Sequence, residues 1–358
     1  MIYATPAISG TLRRRLDQLD ALRAQLGDAT GVPGPWLGQL RRQVRADSVQ
    51  SSVSIEGFLL PVGEATAIVA GTATPDPRDR DRMAVAGYAR AMDHVGVMAT
   101  DPDFRWTRRV ILDLHFDACH FQRDHSPGAW RTGPIAVTGS DGGLVYQAPT
   151  ADEVPPLMGE TVDWLDHGDA DAHVAVRAAM AHLHLVSIHP FRDGNGRISR
   201  IVQSLVLARD GLPAPEFNSI EDYLGRQTGD YYAILQRVQA GHYQPDRDAT
   251  PWVRFCITAH IDQAQLRLKQ VTAAARRWEV IEEYATQRGW PDRLVIAIEH
   301  SLFTEIDRSV YAAEADISLA TATSDIRRLV DAGLVTQHGR ARSTRYTATE
   351  KLRRLASG

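Results

Sequence analysis

Apolar residues recur at intervals of three and four along most of the chain, and this pattern limits the fold more than any other feature of the sequence. Such spacing gathers apolar side chains on one face of an α-helix, and that face must be buried against other helices. The pattern predicts helices over 12–26, 37–55, 83–98, 106–119, 154–165 and 174–188, and again beyond Asn195. At 358 residues the chain is long enough for two or three domains. We therefore expect a mainly α-helical protein.

One stretch departs from helical spacing. Residues 135–138 and 144–147 favour β-structure and flank a glycine-rich turn at 139–143, which predicts a β-hairpin. A lone hairpin is marginally stable in water, so it must pack against the helices or receive a partner strand.

The composition excludes several classes of protein. With 44% hydrophobic and 23% charged residues, the chain is neither disordered nor collagen-like. Its two cysteines, Cys119 and Cys256, are far apart and fit a reducing compartment better than a disulfide framework. The first residues lack the basic and apolar regions of a signal peptide, and no apolar run approaches the ~20 residues of a membrane span. We expect a soluble, cytoplasmic protein with no membrane partner.

The run 189–200, His-Pro-Phe-Arg-Asp-Gly-Asn-Gly-Arg-Ile-Ser-Arg, lies between two predicted helices. Its glycines free backbone N–H groups at a helix N-terminus, where an anion can bind. Arg197 and Arg200 share one helix face and suit the oxygens of a di- or triphosphate. Asp193 is a hard oxygen ligand of the kind that Mg²⁺ takes, and His189 can accept a proton near neutral pH. The combination predicts a nucleotide-transfer site, against the alternative of a glycine-rich turn with solvated charges.

The same run resembles the Fic (filamentation induced by cAMP) family of protein-modifying nucleotidyltransferases. It matches the family pattern of His, any residue, Phe, any, Asp/Glu, Gly, Asn, Gly, Arg, two of any, Arg at every specified position. The resemblance implies that His189 deprotonates a hydroxyl of a target protein, that Asp193 holds Mg²⁺ and that Phe191 anchors the loop in the core. It implies that Asn195 and adjoining N–H groups stabilise the α-phosphate. The residues implied for nucleotide binding are Gly194, Asn195, Gly196, Arg197, Arg200, Tyr231 and Tyr232.

The resemblance extends over roughly residues 35–260 and implies transfer of AMP from ATP. Gly196 stands where kinase-like relatives carry a lysine, which favours an adenylyl transferase over a phosphate transferase. The hairpin looks like the family's flap over the active site, and its open strand edge could align an incoming peptide. A plain surface hairpin and a core-packing role for Tyr231 and Tyr232 are the alternatives.

Residues 52–57, Ser-Val-Ser-Ile-Glu-Gly, form a second informative run. Ser52 and Glu56 share a helix face, and Gly57 is typical of a helix C-terminus. The macrodipole disfavours a glutamate in the last turn, so Glu56 needs a cationic partner. The run resembles the family's inhibitory motif in the branch whose inhibitory helix precedes the catalytic core. That resemblance implies that Glu56 pairs with Arg200 and occupies the space of the γ-phosphate.

Several histidines could suggest a metal site, but their spacings match no zinc signature. They are His115, His120, His182, His184 and His189. We expect no transition metal.

The C-terminal region is basic, with eight Lys/Arg against three acidic residues from Ser324 onward, a local net charge of +5. Helix, turn, helix and a strand pair around a basic tip predict a winged helix-turn-helix. Its second helix would present Ser318, Thr321, Thr323 and Arg327 to a DNA groove, and its wing Arg340 and Arg342 to phosphates. A protein–protein or dimerisation module is an equal alternative.

The combined prediction is a helical N-terminal region (1–100) with an inhibitory helix near 40–57, a Fic-type helical core with a hairpin flap (101–265), and a linker helix with a winged helix (266–358). The predicted activity is Mg²⁺-dependent transfer of AMP from ATP to a Tyr, Thr or Ser hydroxyl of a target protein, or of the chain itself. One alternative is a DNA-binding regulator whose core senses a nucleotide. Another is transfer of a different nucleotide, or removal of AMP by the same site.

Overall fold

The computed structural model describes residues 1–31, 34–139, 142–212, 215–339 and 344–357. The expectation of a mainly helical protein is confirmed over these ranges. The helices of the N-terminal and central parts of the chain are α1 (Gly10–Gly31), α2 (Pro35–Ile55), α3 (Val62–Val69), α4 (Arg80–Thr100), α5 (Arg108–Cys119), α6 (Val154–His167), α7 (Val174–Ile188) and α8 (Asn195–Arg209). Those that follow are α9 (Pro215–Asn218), α10 (Glu221–Arg226), α11 (Thr228–Gln239), α12 (Thr250–Thr286), α13 (Arg293–Phe303), α14 (Arg308–Glu314), α15 (Leu319–Asp331) and α16 (Glu350–Ala356).

The strands form two antiparallel pairs. The predicted hairpin is present as β1 (Ala136–Thr138) and β2 (Leu144–Gln147), in a register that places Val137 opposite Tyr146. The residues Ser140 and Asp141 of its turn lie outside the described ranges. The second pair is β3 (Val335–His338) with β4 (Arg345–Ala348).

The chain divides into two compact units. Unit 1 consists of residues 1–28 and 42–267, and unit 2 of residues 29–41 and 268–358. Among the described ranges, none of the helices combines the length and the apolar character that crossing a lipid bilayer requires.

Helices α7 and α8 form the centre of unit 1. Every residue of α7 from Val174 to Ile188 except Arg177 is buried, which explains why this helix is apolar on all sides. Helices α4 and α5 pack against the same core as α7 and α8. Helix α4 approaches α5 closely at Gly87, where a Cβ would collide with the carbonyl oxygen of Ala118. The loop between α7 and α8 is therefore held at both ends by a rigid core.

Unit 2 has its own core, built from α13, α14, α15 and the strand pair. Within it Asp325 is almost completely buried and accepts hydrogen bonds from Nε of Arg293 at 2.7 Å and from the Tyr311 hydroxyl at 3.1 Å. This ion pair joins α13, α14 and α15. From Arg293 onward, the order of elements in unit 2 is helix, helix, helix, strand, strand, helix. The predicted wing residues Arg340 and Arg342 lie outside the described ranges.

Candidate active site

A cavity of about 590 Å³ opens over the loop between α7 and α8. Its walls bring together four segments that are far apart in the sequence. They are the loop with the start of α8, the hairpin, helix α11 with its two tyrosines, and Glu56 at the end of α2. The loop itself is bent by residues in the left-handed region: His189 (φ 52°), which ends α7, and Gly194 (φ 79°), which precedes α8.

His189 lies in this cavity with one ring nitrogen fixed. Its Nδ1 is 2.8 Å from the carbonyl oxygen of Val186, and because a carbonyl can only accept, Nδ1 carries the hydrogen. Nε2 is then the basic nitrogen. Burial lowers the pKa of His189 below its ordinary value, which keeps the imidazole neutral and able to accept a proton near pH 7.

Arg131 holds the backbone of His189, a contact that sequence reasoning missed. Nε of Arg131 donates to the carbonyl oxygen of His189 at 2.7 Å, and its other nitrogens donate to the carbonyl oxygens of Gly133 and Pro149 at 2.9 and 2.6 Å. The guanidinium therefore ties the base of the hairpin to a residue in a strained left-handed conformation. The only signal in the sequence was the position of Arg131 just before the hairpin.

Asp193 projects a partly exposed carboxylate into the cavity. Its Oδ2 accepts hydrogen bonds from Gln122 and from Nδ1 of His125, the latter at 3.2 Å, and its Oδ1 lies 3.5 Å from Nη2 of Arg197. Burial by itself would raise the pKa of Asp193, but the charge of Arg197 and these hydrogen bonds together lower it. The carboxylate is therefore ionised at neutral pH, as a ligand of a divalent cation must be.

Asn195 uses its side chain inside the loop. Its Oδ1 accepts from the N–H of Phe191 at 2.9 Å, and its Nδ2 donates to the carbonyl oxygen of Phe191 at 2.8 Å. Because α8 begins at Asn195, the N–H groups of its first turn have no carbonyl partner within the helix. The main chain here, more than the amide of Asn195, offers donors to an anion at the cavity floor.

Phe191 is fully buried and stacks on the ring of His115, with centroids 3.6 Å apart and planes 7° from parallel. Nε2 of His115 donates to the carbonyl oxygen of Asp193 at 2.9 Å, and its Nδ1 accepts from the N–H of Gly128 at 2.9 Å. Burial lowers the pKa of His115 to about 4. His115 thus joins the loop to the segment that leads into the hairpin, a positioning role that its sequence context did not reveal.

Arg200 is bound by the end of α2. Its Nε donates to the hydroxyl of Ser52 at 2.7 Å, and its Nη2 donates to the carbonyl oxygen of Ser52 at 3.0 Å and to Oε1 of Glu56 at 2.8 Å. Only 1% of the Arg200 side chain is exposed. Burial would lower the pKa of Arg200, but the charge and hydrogen bond of Glu56, with smaller contributions from Tyr231 and Tyr88, raise that pKa. The pair predicted by resemblance is thus a direct contact, 144 residues apart in sequence.

Glu56 also lies directly over Gly196. A Cβ built on Gly196 would collide with Oε1 of Glu56, so glycine is the residue that allows this approach. Helix α2 ends at Ile55, and Gly57 follows with φ 84°, as the sequence predicted for a helix stop. Glu56 thereby covers both Arg200 and the first turn of α8.

Arg197 is completely buried beneath two aromatic rings. Its guanidinium carbon lies 5.2 Å from the ring centroid of Phe58 and 5.8 Å from that of Phe121, and its Nη2 donates to Gln122 at 2.8 Å. Nε and Nη1 of Arg197, like Nη1 of Arg200, are buried donors with no hydrogen-bond partner among the described residues. Buried donors without acceptors are costly, and they fit an anionic ligand.

The two tyrosines of α11 differ in exposure. Tyr231 is buried, with its hydroxyl 3.0 Å from Nε2 of His182, whereas Tyr232 is 48% exposed. Both line the cavity, and the hydroxyl of Tyr232 donates to the carbonyl oxygen of Ile55 at 3.1 Å. Burial raises the pKa of Tyr232 to about 12, so this hydroxyl keeps its proton. Tyr232 is the one placed to contact a ligand, while Tyr231 belongs to the wall.

The remaining histidines do not converge. His182 contacts Gln203 at 2.7 Å, His184 packs edge-on against Trp164, and His120 lies beside Arg90. In the described part of the chain no three His, Cys, Asp or Glu residues form a cluster that could hold a metal ion.

A neutral imidazole, an ionised carboxylate and a helix N-terminus thus line one cavity, while Arg197 and Arg200 are buried outside its lining, one beneath aromatic rings and the other against Glu56. Residues 105–207 match the model of the Fic/DOC family. This segment contains the whole loop and the hairpin.

Curated relatives and solved structures agree with that match. The chain is 28% identical over 244 residues to the protein adenylyltransferase Fic of Drosophila willistoni, covering 68% of this chain and 45% of that protein. It is 28% identical over 255 residues to protein adenylyltransferase fic-1 of Caenorhabditis elegans, covering 70% and 46%. The chain thus spans about half the length of the curated relatives it matches.

Among solved structures, a Fic family protein from Desulfovibrio desulfuricans is similar with a TM-score of 0.62 at 22% identity, covering 97% of this chain and 98% of that one. Fic-1 from C. elegans is similar with a TM-score of 0.58 at 23% identity, covering 74% and 72%. These likenesses show a shared fold.

Proposed function

We propose that the chain transfers AMP from ATP to a hydroxyl group of a protein. The observation that carries the proposal is a cavity lined by His189, whose Nδ1 is fixed by Val186, by an ionised Asp193 and by the N-terminus of α8. Glu56 lines the same cavity and binds Arg200, which together with Arg197 is buried in the first turns of α8. The names of the curated relatives support the same activity.

In this mechanism Nε2 of His189 accepts the proton of a Tyr, Thr or Ser hydroxyl as its oxygen attacks the α-phosphorus. The new bond joins that oxygen to the α-phosphorus, and the bond from the α-phosphorus to the bridging oxygen breaks. Pyrophosphate leaves with the electron pair. The N–H groups of Asn195 and Gly196 would stabilise the charge on the α-phosphate, and Arg197 and Arg200 would bind the β- and γ-phosphates.

Asp193 is the residue that would hold Mg²⁺. Its carboxylate lines the cavity and its lowered pKa keeps it charged, which fits a hard divalent cation. When bound, the ion would neutralise phosphate charge next to the loop.

The contacts of α2 support an autoinhibited resting state. Glu56 holds Arg200 and covers Gly196, so neither this guanidinium nor the first turn of α8 is open to a triphosphate tail. Ser52 contributes two further hydrogen bonds to the same arginine. Release of this end of α2 would be required for productive binding of ATP.

The hairpin is the proposed docking element for the acceptor. β1 pairs with β2 on one side, and no other strand of the described residues pairs with its second side. A peptide could add to that edge beside His189 through main-chain hydrogen bonds. The acceptor is a target protein or a second molecule of this chain.

Transfer of label from [α-³²P]ATP tests the proposal. Glu56→Gly should incorporate AMP into itself or added protein, as a mass increase of one AMP, and Glu56→Gly combined with His189→Ala should not, while still binding ATP. Equal labelling of the two proteins would exclude His189 as the base. Parallel reactions with the other nucleoside triphosphates, and with AMP-modified protein as substrate, test transfer of another nucleotide and removal of AMP.

A DNA-binding regulator is the second candidate, and the helix α15 with its exposed Arg327 favours it. Ser318 caps this helix by accepting from the N–H of Thr321, and the hydroxyl of Thr323 donates to the carbonyl oxygen of Leu319. Arg327 is therefore the predicted groove residue whose side chain is best placed for a base or phosphate. A salt-dependent mobility shift that Arg327→Ala weakens would support DNA binding.

Two further proposals concern assembly and location. The mass of the protein in solution tests whether the chain forms a dimer. The two cysteines are free and buried, which supports a reducing, cytoplasmic setting.

A further inference from the structure

A second cavity, of about 120 Å³, lies in unit 1 among α2, α4, α8 and α10, and His189 is not among its lining residues. Its walls are mainly apolar and include Val49, Tyr88, Met92, Val95 and Leu207. An apolar protein cavity of about 150 Å³ accepts benzene, so this one admits a molecule of about five non-hydrogen atoms.

One acidic side chain is buried at the wall of this cavity. Only 2% of Glu221 is exposed, and its Oε1 accepts hydrogen bonds from the hydroxyls of Ser204 at 2.7 Å and Tyr88 at 3.4 Å. Its Oε2 is buried without a hydrogen-bond partner among the described residues. A buried carboxylate oxygen with no donor is unfavourable, and a ligand with a donor at that point would remove the penalty.

No charged residue of the described lining pairs with Glu221, and the charge of Arg200, which is not a lining residue, only partly offsets the burial of this carboxylate. Arg45 points its guanidinium to Asp93 and to the carbonyl oxygen of Ala89, and the remaining charged residue, Glu216, is itself acidic. Burial raises the pKa of Glu221, which shows how poorly the site by itself stabilises the carboxylate charge. A cationic donor is therefore the complementary group.

We propose that this cavity binds a small apolar amine, whose ammonium group donates to Oε2 of Glu221 while its hydrocarbon part contacts the apolar walls. Ser48 and Val49 of α2 belong to the wall, one helical turn before Ser52. The ligand would therefore contact the same helix that carries Glu56.

Three probes of equal chain length and different polar group test the inference on the full chain: n-butylamine, n-butanol and butyrate. Affinity is measured by saturation-transfer NMR and by the shift of the melting temperature. We expect the amine to bind at least tenfold more tightly than the alcohol, and butyrate not to bind. Glu221→Gln should reduce the preference for the amine to within twofold, because it replaces the carboxylate with a neutral amide of the same shape.

A cavity-filling variant keeps the test decisive if Glu221→Gln does not fold. Ala208 lines the cavity and is half-buried, so Ala208→Leu should occupy this space and abolish amine binding. Ala86→Leu is the matched control, since Ala86 is also half-buried against the same core and is not among the lining residues. Equal binding of the three probes, no binding of the amine, or amine binding that survives Ala208→Leu would overturn the proposal.

Discussion

Removing the carboxylate of Glu56 should free Arg200 for the nucleotide, and the strength of the Glu56–Arg200 contact sets how much AMP transfer increases. The one hydrogen bond from Nη2 of Arg200 to Glu56 is 2.8 Å long and lies at a guanidinium that is 1% exposed. A hydrogen bond to a charged group contributes about 1.5–3 kcal/mol. If this contact must break before the triphosphate tail can bind, its loss raises the population of open sites, and hence AMP transfer at subsaturating ATP, by about 10- to 150-fold.

The matching assay measures initial rates of labelling from [α-³²P]ATP for the unsubstituted chain, Glu56→Gly and Glu56→Gln. Both variants should be faster, and both should melt at a lower temperature without ATP, because buried Arg200 loses its counter-charge in both variants and its acceptor as well in Glu56→Gly. Glu64→Gln is the control, since Glu64 forms an exposed ion pair with Arg82 and should change neither quantity appreciably. Unchanged labelling in both Glu56 variants, with ATP still bound, would refute the reasoning.

Three further predictions follow from buried contacts. Phe58→Ala uncovers Arg197 and should lower the KM for ATP several-fold with little change in kcat; an unchanged KM would show that the ring does not block the nucleotide. Arg131→Lys cannot keep the hydrogen bonds of the guanidinium to the carbonyls of His189, Gly133 and Pro149 together, so kcat should fall about tenfold or more while the affinity for ATP stays the same. A general loss of folding would lower both quantities. His184 is buried with no hydrogen-bond partner among the described residues, and burial lowers its pKa to about 3. Below about pH 6.5 only the unfolded chain takes up that proton, so stability is complete above this pH and falls by about 1 kcal/mol per pH unit as the pH drops towards 3. His184→Leu should flatten that slope in urea unfolding curves, and an unchanged slope would contradict the assignment.

Local pattern was enough to predict several elements closely. The apolar run over 174–188 forms α7 with the predicted bounds. The β-prone segments on either side of the glycine-rich turn form β1 and β2. The stop at Gly57 also follows from local chemistry, because a residue with φ 84° after a helix favours glycine. These predictions concern neighbours in the chain, where 3.6-residue and 2-residue periods fix which side chains share a face.

Contacts between distant segments could not be read from spacing. The pairing of Glu56 with Arg200 came from resemblance, and the contacts of Arg131 with His189 and of Phe58 with Arg197 were not predicted at all. The contact of the Asn195 amide with the backbone of Phe191 was likewise not predicted, and a role of Asn195 with the adjoining N–H groups at the α-phosphate stays a prediction.

The sequence by itself therefore determined a helical chain with one flap-like hairpin and a loop whose residue types suit phosphate and proton chemistry. Only the tertiary structure decided which side chains cover that loop and which side chains of the loop line the cavity, where a ligand could contact them. The physical reason is that periodicity specifies a helix face but not its partner. The partner is chosen by the joint packing of α2, α4, α5, α7 and α8, which no single stretch of sequence encodes.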